Sequence, residues 1–184
     1  MTLAISFITR RAIYLAADRR VVTPDHGIVE DTKLFDAHGL TFAFAGDVVV
    51  EHALRHQDFD TREEGCSVPK WWANAVLPWL SNECKDREYQ LLVTDGGDLF
   101  TTMDGYLRRV TDPFVAIGDG ARYAYGWFDI TSFYGGFTRD NKGAIGKQDL
   151  DRHMDILFAK TSARHESVSM WYDTRVIKRE KVKK

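Results

Sequence analysis

The sequence predicts an α+β protein in which two β-sheets lie between layers of helices, a four-layer αββα sandwich. Short segments with an apolar residue at every second position indicate strands. These strands come in groups. The groups are separated by pairs of predicted helices, which have apolar residues at helical spacing. The length of 184 residues and the hydrophobic content of 44% suit one soluble domain with a sizeable core.

The N-terminal half is predicted to begin with a hairpin. In residues 2–8, Leu3, Ile5 and Phe7 share one face, and the charged turn 9–11 leads into a second strand. The predicted strands of this half are 2–8, 12–17, 33–35 and 40–45. A loop over 23–27 follows from its Pro, Asp and Gly residues. A helix is predicted over 48–57.

A second helix is predicted after 48–57. Tryptophans at helical spacing predict it over 71–80, and Pro78 should kink it. Further helices are predicted from about 121 and over 149–161. The remaining predicted strands are 89–94, 99–103, 114–117 and 167–173.

Composition narrows the functional classes. The net charge of −2 argues against a nucleic-acid-binding domain, which would usually be basic. Cys66 and Cys84 match no zinc or redox spacing, so we expect two free thiols in a cytoplasmic protein. Apolar runs are too short to predict a membrane span. We expect one domain over 1–175 and a basic tail over 176–184.

Thr2, directly after Met1, is the first candidate catalytic residue. Aminopeptidase removal of Met1 would make threonine the N-terminal residue. Its hydroxyl would then be the nucleophile, and its own α-amine could take the hydroxyl proton. That amine titrates near about 7.7–8.0 in model peptides, which suits a general base at neutral pH.

The chain resembles the proteasome β-subunit and HslV family of N-terminal nucleophile (Ntn) hydrolases along nearly its whole length. The segments that carry the resemblance are, in chain order, Thr2-Leu3-Ala4-Ile5, Leu15-Ala16-Ala17-Asp18-Arg19-Arg20-Val21, Thr32-Lys33-Leu34-Phe35, Phe42-Ala43-Phe44-Ala45-Gly46-Asp47, Ala116-Ile117-Gly118-Asp119-Gly120 and Tyr123-Ala124-Tyr125-Gly126. Each motif is weak alone, and their common order makes the fold prediction strong.

The resemblance implies a catalytic set. Thr2 would be the nucleophile, Lys33 would place an ammonium beside its hydroxyl, and Asp18 would hold Lys33 charged and oriented. Arg20 would be an accessory arginine. A backbone N–H near Ala43 would stabilise the oxyanion.

Two departures concern the accessory groups. Asp119 stands where the family has the serine of its Gly-Ser-Gly turn. The late Asp-x-x-Ser pair has no clear aspartate around Ser162, although Ser162 could supply the hydroxyl. We therefore expect Asp119 to replace the missing carboxylate.

The resemblance also implies a substrate and an assembly. The substrate would be a peptide or protein, and Asp31 in the specificity pocket would favour a basic residue before the cleaved bond. The chain would form a homo-oligomeric ring or spiral and would need no metal or cofactor, and the sequence identifies no ATPase partner. By position, the pocket residues would be Val21, Asp31, Thr41, Ala45 and Val49.

Three alternatives stay open. The first is a catalytically inactive assembly or binding protein on the same fold, in which Met1 is retained and Asp18 and Lys33 are a structural ion pair. The second is an adaptor that uses residues 178–184 to contact an acidic or nucleic-acid partner. The third is a metal at His52 and His56, for which the sequence places no third ligand.

Overall fold

The computed structural model describes residues 2–22, 27–133 and 147–179, without the side chains of 130–133 and 147–149. Its strands are β1 (Ala4–Ile8), β2 (Ala12–Asp18), β3 (Arg20–Val22), β4 (Ile28–Glu30), β5 (Leu34–Ala37), β6 (Leu40–Gly46), β7 (Tyr89–Thr94), β8 (Leu99–Met103), β9 (Tyr106–Arg109), β10 (Phe114–Ile117) and β11 (Tyr172–Lys178). Its helices are α1 (Val48–His56), α2 (Val68–Trp71), α3 (Leu77–Glu83), α4 (Ala121–Phe133) and α5 (Lys147–Ser162), with a π-helical segment over Trp72–Val76.

The described strands form two large antiparallel sheets and one small ribbon. One sheet has the order β10-β1-β2-β11 and the other β5-β6-β7-β8-β9, while β3 pairs with β4. In the first sheet the β1–β2 hairpin pairs Ala4 with Ala17. This register sets the start of the chain opposite the end of β2.

Three apolar clusters show the predicted layering. One lies between the five-stranded sheet and the helices around α1 and α3, and it includes Phe42 and Trp72. A second lies between the four-stranded sheet and helices α4 and α5, and it includes Ile5 and Phe158. The third lies between the two sheets and contains small residues such as Ala43. The αββα prediction is therefore confirmed.

Strand alternation explains how one strand serves two clusters. Phe42 and Phe44 of β6 contribute to the cluster on the helical side, whereas Ala43 and Ala45 contribute to the cluster between the sheets. Successive side chains of a strand point to opposite faces, so large residues pack outward here and small residues let the sheets approach.

The second predicted helix is interrupted, as Pro78 predicts. The chain runs through α2, the π-helical segment and α3, and the Leu77 N–H donates to the Trp72 carbonyl five residues back. Pro78 has no N–H to donate to the Asn74 carbonyl, so the ordinary helical bond at this point is missing. The π-helical hydrogen bond from Leu77 to Trp72 stands in at this point, and an ordinary α-helix resumes in α3.

Two boundaries near the C-terminus differ from the prediction. The strand predicted over 167–173 begins only at Tyr172, because the preceding residues form a turn in which the Val168 N–H donates to the His165 carbonyl. β11 then continues through Lys178, beside β2. The first residues of the predicted tail therefore belong to a sheet, and residues 180–184 lie outside the described part of the chain.

Trp72 is the largest fully buried side chain, and its indole N–H donates to the Gly105 carbonyl at 2.8 Å. We expect Trp72→Ala to lower the free energy of unfolding by about 3–5 kcal/mol, because it opens a cavity and removes a buried donor. Urea denaturation measures this. Trp171, 65% exposed, is the matched control, and its alanine variant should change stability little. Equal losses in the two variants would contradict the role of Trp72.

Candidate active site

Thr2 lies buried just before β1, held by the turn that follows β10. The Gly120 N–H donates to the Thr2 carbonyl at 3.3 Å. Gly118 has φ +86°, and a Cβ at this position would lie 2.1 Å from the same carbonyl oxygen. Only glycine permits both this conformation and this approach. The Gly118–Gly120 turn therefore fixes the backbone of the candidate nucleophile.

Lys33 joins the two other predicted catalytic residues. It lies immediately before β5, and its buried Nζ donates to Thr2 Oγ1 at 2.7 Å and to Asp18 Oδ1 at 3.0 Å. Three residues far apart in sequence thus meet in one buried hydrogen-bonded row. The arrangement places a cation directly beside the threonine hydroxyl.

Asp18 organises this row from the end of β2. Its Oδ1 also accepts from the Leu3 N–H at 2.9 Å, and its Oδ2 accepts from the N–H groups of Ser169 and Arg20 at 3.1 and 3.2 Å. The side chain is fully buried. A buried carboxylate is stable only where donors surround it, and here they come from four separate segments.

The protonation of Lys33 reflects two opposed effects. Burial lowers the pKa of the Lys33 ammonium below its ordinary value, because the charged form loses hydration. The nearby Asp18 carboxylate opposes this effect, and Glu51 and Glu30 add smaller contributions of the same sign. Lys33 is therefore easier to deprotonate than an exposed lysine, and its neighbouring carboxylates limit the change.

The predicted oxyanion position, Ala43, lies away from Thr2. β6 bonds alternately to its two neighbours: the Phe44 N–H donates to the Lys33 carbonyl and the Asp47 N–H to the Glu88 carbonyl. By this alternation the Ala43 N–H points to β7 and is used in the sheet. Ala43 is fully buried between the two sheets. The Ala43 N–H is therefore not placed to stabilise an oxyanion at Thr2, contrary to the role that the resemblance implied.

Gly46, which the sequence analysis did not single out, has a backbone N–H that is better placed near Thr2. By the same alternation its N–H points to the β5 side, beyond the β5–β6 pairing that ends with Leu34 opposite Ala43. Gly46 lines both clefts that open at Thr2. Its φ of +145° and the Glu88 carbonyl, 2.4 Å from a Cβ built at this position, both require glycine.

The three predicted accessory residues have different positions. The Arg20 guanidinium donates to the Glu166 carbonyl, close to Asp18. Asp119 is exposed and lines a cleft together with Thr2. The Ser162 hydroxyl instead donates to the Ala159 carbonyl of its own helix at 3.0 Å. Among the described contacts, those of Ser162 do not reach the threonine.

Ser169 reaches the site in place of Ser162. Its backbone N–H donates to Asp18, and its hydroxyl donates to Glu30 Oε1 at 3.1 Å. Glu166 and Ser169 have the Asp-x-x-Ser spacing, with glutamate in place of aspartate. A search of the sequence for Glu-x-x-Ser as well as Asp-x-x-Ser finds the loop that contains Glu166 and Ser169.

Among the residues that the structure describes, a larger and a smaller cleft open at Thr2. The larger has a volume of about 850 Å³ and is lined by Ala45 and Asp119, among others. The smaller has a volume of about 250 Å³ and is lined by Val21 and Val49. Three of the five predicted pocket residues thus lie at the candidate site.

The other two predicted pocket residues have other contacts. Asp31 is exposed, and its carboxylate accepts from the adjacent Thr32 N–H at 2.7 Å. Thr41 donates to Asp36 at 2.7 Å on the far part of β6. Within the described chain neither residue lines a cleft with Thr2. Glu51, which does line the smaller cleft, is ion-paired with Arg55.

Further sequence expectations concern metals, thiols and membranes. The rings of His52 and His56 are 4.6 Å apart, and the described residues contain no group of three or more side chains placed to hold a metal ion. Cys66 and Cys84 are free thiols. Within the described ranges, every helix is too short or too polar to cross a bilayer.

Solved structures share the architecture of this chain. It matches BPH from Thiobacillus denitrificans, in complex with epoxomicin, at 14% identity and a TM-score of 0.69, covering 97% of this chain and 100% of that one. It matches eukaryotic HslV from Trypanosoma brucei at 13% identity and a TM-score of 0.61, covering 96% and 99%. The chain has the proteasome-like Ntn-hydrolase fold.

A third structure with the proteasome-like fold is the ancestral β-subunit Anbu from Yersinia bercovieri. It matches at 16% identity and a TM-score of 0.68, covering 96% of this chain and 81% of that one. No family model and no curated protein matches the sequence. The similarity to known proteins is therefore seen in the three-dimensional structure, and this similarity establishes the fold.

Proposed function

We propose that this protein is a threonine-type peptidase that hydrolyses peptide bonds through an acyl-enzyme on Thr2 after removal of Met1. The observation that carries the proposal is the 2.7 Å hydrogen bond from Lys33 Nζ to Thr2 Oγ1, with Asp18 3.0 Å behind the ammonium. A hydroxyl beside a buried cation is favoured in its deprotonated, nucleophilic form. The proteasome-like fold supports the same assignment.

The proposed reaction has two halves. Thr2 Oγ1 attacks the peptide carbonyl, and its proton passes to the freed α-amine. The C–N bond then breaks, the leaving amine takes that proton, and an ester on Thr2 remains. Water adds to the ester, the acid product leaves, and the hydroxyl is restored.

The developing oxyanion requires a donor, and the proposal assigns the Gly46 N–H to it. This N–H points to the side of β6 on which Thr2 and Lys33 lie, and Gly46 lines both clefts. A fixed backbone donor aimed at developing charge stabilises a transition state without reorganisation.

The smaller cleft is the candidate binding site for a substrate side chain. A side chain of a peptide substrate would enter the smaller cleft, whose wall includes Val21 and Val49. Because Glu51 is paired with Arg55 and Asp31 lies outside the cleft, we assign no preference for basic residues to Asp31. A cytoplasmic homo-oligomer, in a ring or spiral, is the assembly that the family resemblance implies.

Intact mass before and after treatment with an epoxyketone or β-lactone probe tests this function. We expect loss of Met1 and one adduct on Thr2. Thr2→Ala should lower the labelling rate by at least about 10³-fold, since it removes the nucleophile. Thr2→Ser, which keeps a hydroxyl, is the matched control and should still label.

The opposite outcome identifies the alternative function. Retained Met1, no adduct and no difference between wild type and Thr2→Ala would contradict the peptidase proposal. That result would favour an assembly or binding protein that keeps Asp18 and Lys33 as a structural ion pair.

A further inference from the structure

Ser169 connects the candidate site to a carboxylate outside the predicted catalytic set. The residue is buried in the turn between α5 and β11. Its hydroxyl donates to Glu30 at 3.1 Å and accepts from the Trp171 N–H at 3.0 Å. Its backbone N–H donates to Asp18 Oδ2 at 3.1 Å. One residue thus bonds to both Glu30 and Asp18.

Glu30 belongs to the small β3–β4 ribbon, which also reaches Asp18. It is paired in register with Arg20, whose backbone N–H donates to Asp18 Oδ2 at 3.2 Å. The Arg20 guanidinium donates to the Glu166 carbonyl, on the same turn as Ser169. The ribbon and the turn are therefore fastened together at two points around the Asp18 carboxylate.

We propose that Glu30 is a positioning residue for the candidate active site: it holds the Ser169 turn against Asp18 and supplies negative charge on the Lys33 side. The inference rests on the proposed function, because it assigns Glu30 a task in aiming the Lys33 ammonium at Thr2. Glu30 does not touch Thr2 in the described contacts. It acts through Ser169 and through its charge.

The charges around Lys33 determine how far Glu30 can influence it. Asp18, Glu51 and Glu30 favour the ammonium form, in that order. Glu51 is itself paired with Arg55, which weakens its effect. The other charged residues that line the cleft with Lys33 are Arg20, Asp47 and Arg87. Asp47 and Arg87 form their own ion pair at 2.6 Å. Glu30 is exposed on the ribbon and forms no ion pair among the described contacts, so we expect its effect on Lys33 to be smaller than that of Asp18.

Two substitutions separate the tether from the charge. Glu30→Gln keeps an oxygen that can accept from Ser169 but removes the charge. Ser169→Ala removes the hydroxyl but keeps the charge and the backbone N–H that binds Asp18. Glu64→Gln removes one exposed carboxylate elsewhere on the surface and is the matched control.

The first measurement is the titration of the Lys33 side chain. It is monitored by ¹³C NMR of the lysine ε-carbon, and the Lys33→Arg variant identifies the signal of Lys33. We expect Glu30→Gln to move the titration of Lys33 to lower pH, because the ammonium loses a favourable neighbour. Glu64→Gln should leave it unchanged. This readout does not depend on peptidase activity.

The second measurement is the pH profile of probe labelling. Glu30→Gln should shift the alkaline limb of the labelling rate to lower pH, in step with Lys33. Ser169→Ala should lower the rate about tenfold at all pH values, the effect of losing one charge-assisted hydrogen bond. The double variant should show both effects, the shifted alkaline limb and the lower rate, because one change removes the charge and the other removes the tether.

The outcomes distinguish the two proposals. If Glu30→Gln matches Glu64→Gln in both the Lys33 titration and the labelling profile, the role of Glu30 is overturned. If wild type never labels but the Lys33 titration still moves in Glu30→Gln, the peptidase proposal fails and the influence of Glu30 on Lys33 stands. If Ser169→Ala does not fold, Glu30→Gln alone decides the question.

Discussion

Asp18→Asn is expected to abolish probe labelling and to lower the free energy of unfolding by about 3–5 kcal/mol. The carboxylate accepts four hydrogen bonds, from Lys33 and from the N–H groups of Leu3, Arg20 and Ser169. An asparagine side chain has one acceptor oxygen, and its NH₂ group would face donors. Lys33 would also lose its buried counter-charge, so its ammonium would become costly.

Urea denaturation and intact-mass labelling measure the two effects. Asp173→Asn is the matched control, because Asp173 lies on the neighbouring strand opposite Ala17 and pairs with Arg19 at 3.8 Å through two partly exposed side chains. This control should change stability by no more than about 1 kcal/mol and leave labelling intact. Labelling of Asp18→Asn within a few-fold of wild type would show that Asp18 does not position Lys33.

The core of this site is predicted through the family resemblance, which implies Thr2, Asp18 and Lys33 as one set, and the strand pattern is consistent with it. A strand, a charged turn and a second strand predict a hairpin, and the hairpin register sets Asp18 opposite the chain start, where its carboxylate accepts from the Leu3 N–H. Lys33 stands at the start of the next predicted strand. Lys33 precedes a strand of the other sheet, so its meeting with Thr2 and Asp18 is a tertiary contact that the resemblance implied and that strand order alone does not predict.

The proposed oxyanion donor, the Gly46 N–H, could not be predicted in this way. Whether an N–H in β6 faces β5 or β7 depends on the hydrogen-bond phase of the ladder, and the side-chain pattern does not reveal it. Ala43 and Gly46 differ by an odd number of positions, so their N–H groups point to opposite neighbours. The positive φ of Gly46 is likewise visible only in three dimensions.

The C-terminal part of the site depends on a tertiary contact. Ser167, Val168 and Ser169 alternate as a strand would, yet Val168 is buried against Gly120 and the segment turns. Packing against the turn that holds Thr2 overrides the local β preference. The same packing places the Ser169 N–H at Asp18, whereas the Ser162 hydroxyl bonds to its own helix.

Gly118→Ala is expected to lower the labelling rate by about 100-fold or more, because the new methyl group and the Thr2 carbonyl cannot both keep their places. The Cβ would lie 2.1 Å from the Thr2 oxygen and 2.8 Å from its carbon, both of them backbone atoms. Displacing a reacting group by about 1 Å can cost about 100-fold in rate. The Gly120 N–H that binds the same carbonyl would be disturbed as well.

Gly65→Ala separates this collision from backbone strain. Gly65 has φ +81°, close to the +86° of Gly118, but a Cβ there has no heavy atom within 4 Å. Gly65→Ala should lose about 1–2 kcal/mol of stability from the positive φ alone, Gly118→Ala should lose more because of the collision, and only Gly118→Ala should lose labelling. If the two variants label equally well, the turn after β10 does not determine the position of Thr2. Loss of labelling in Gly118→Ala without urea, where urea denaturation shows both variants to be folded, together with normal labelling of Gly65→Ala, would establish that the turn positions Thr2 for reaction.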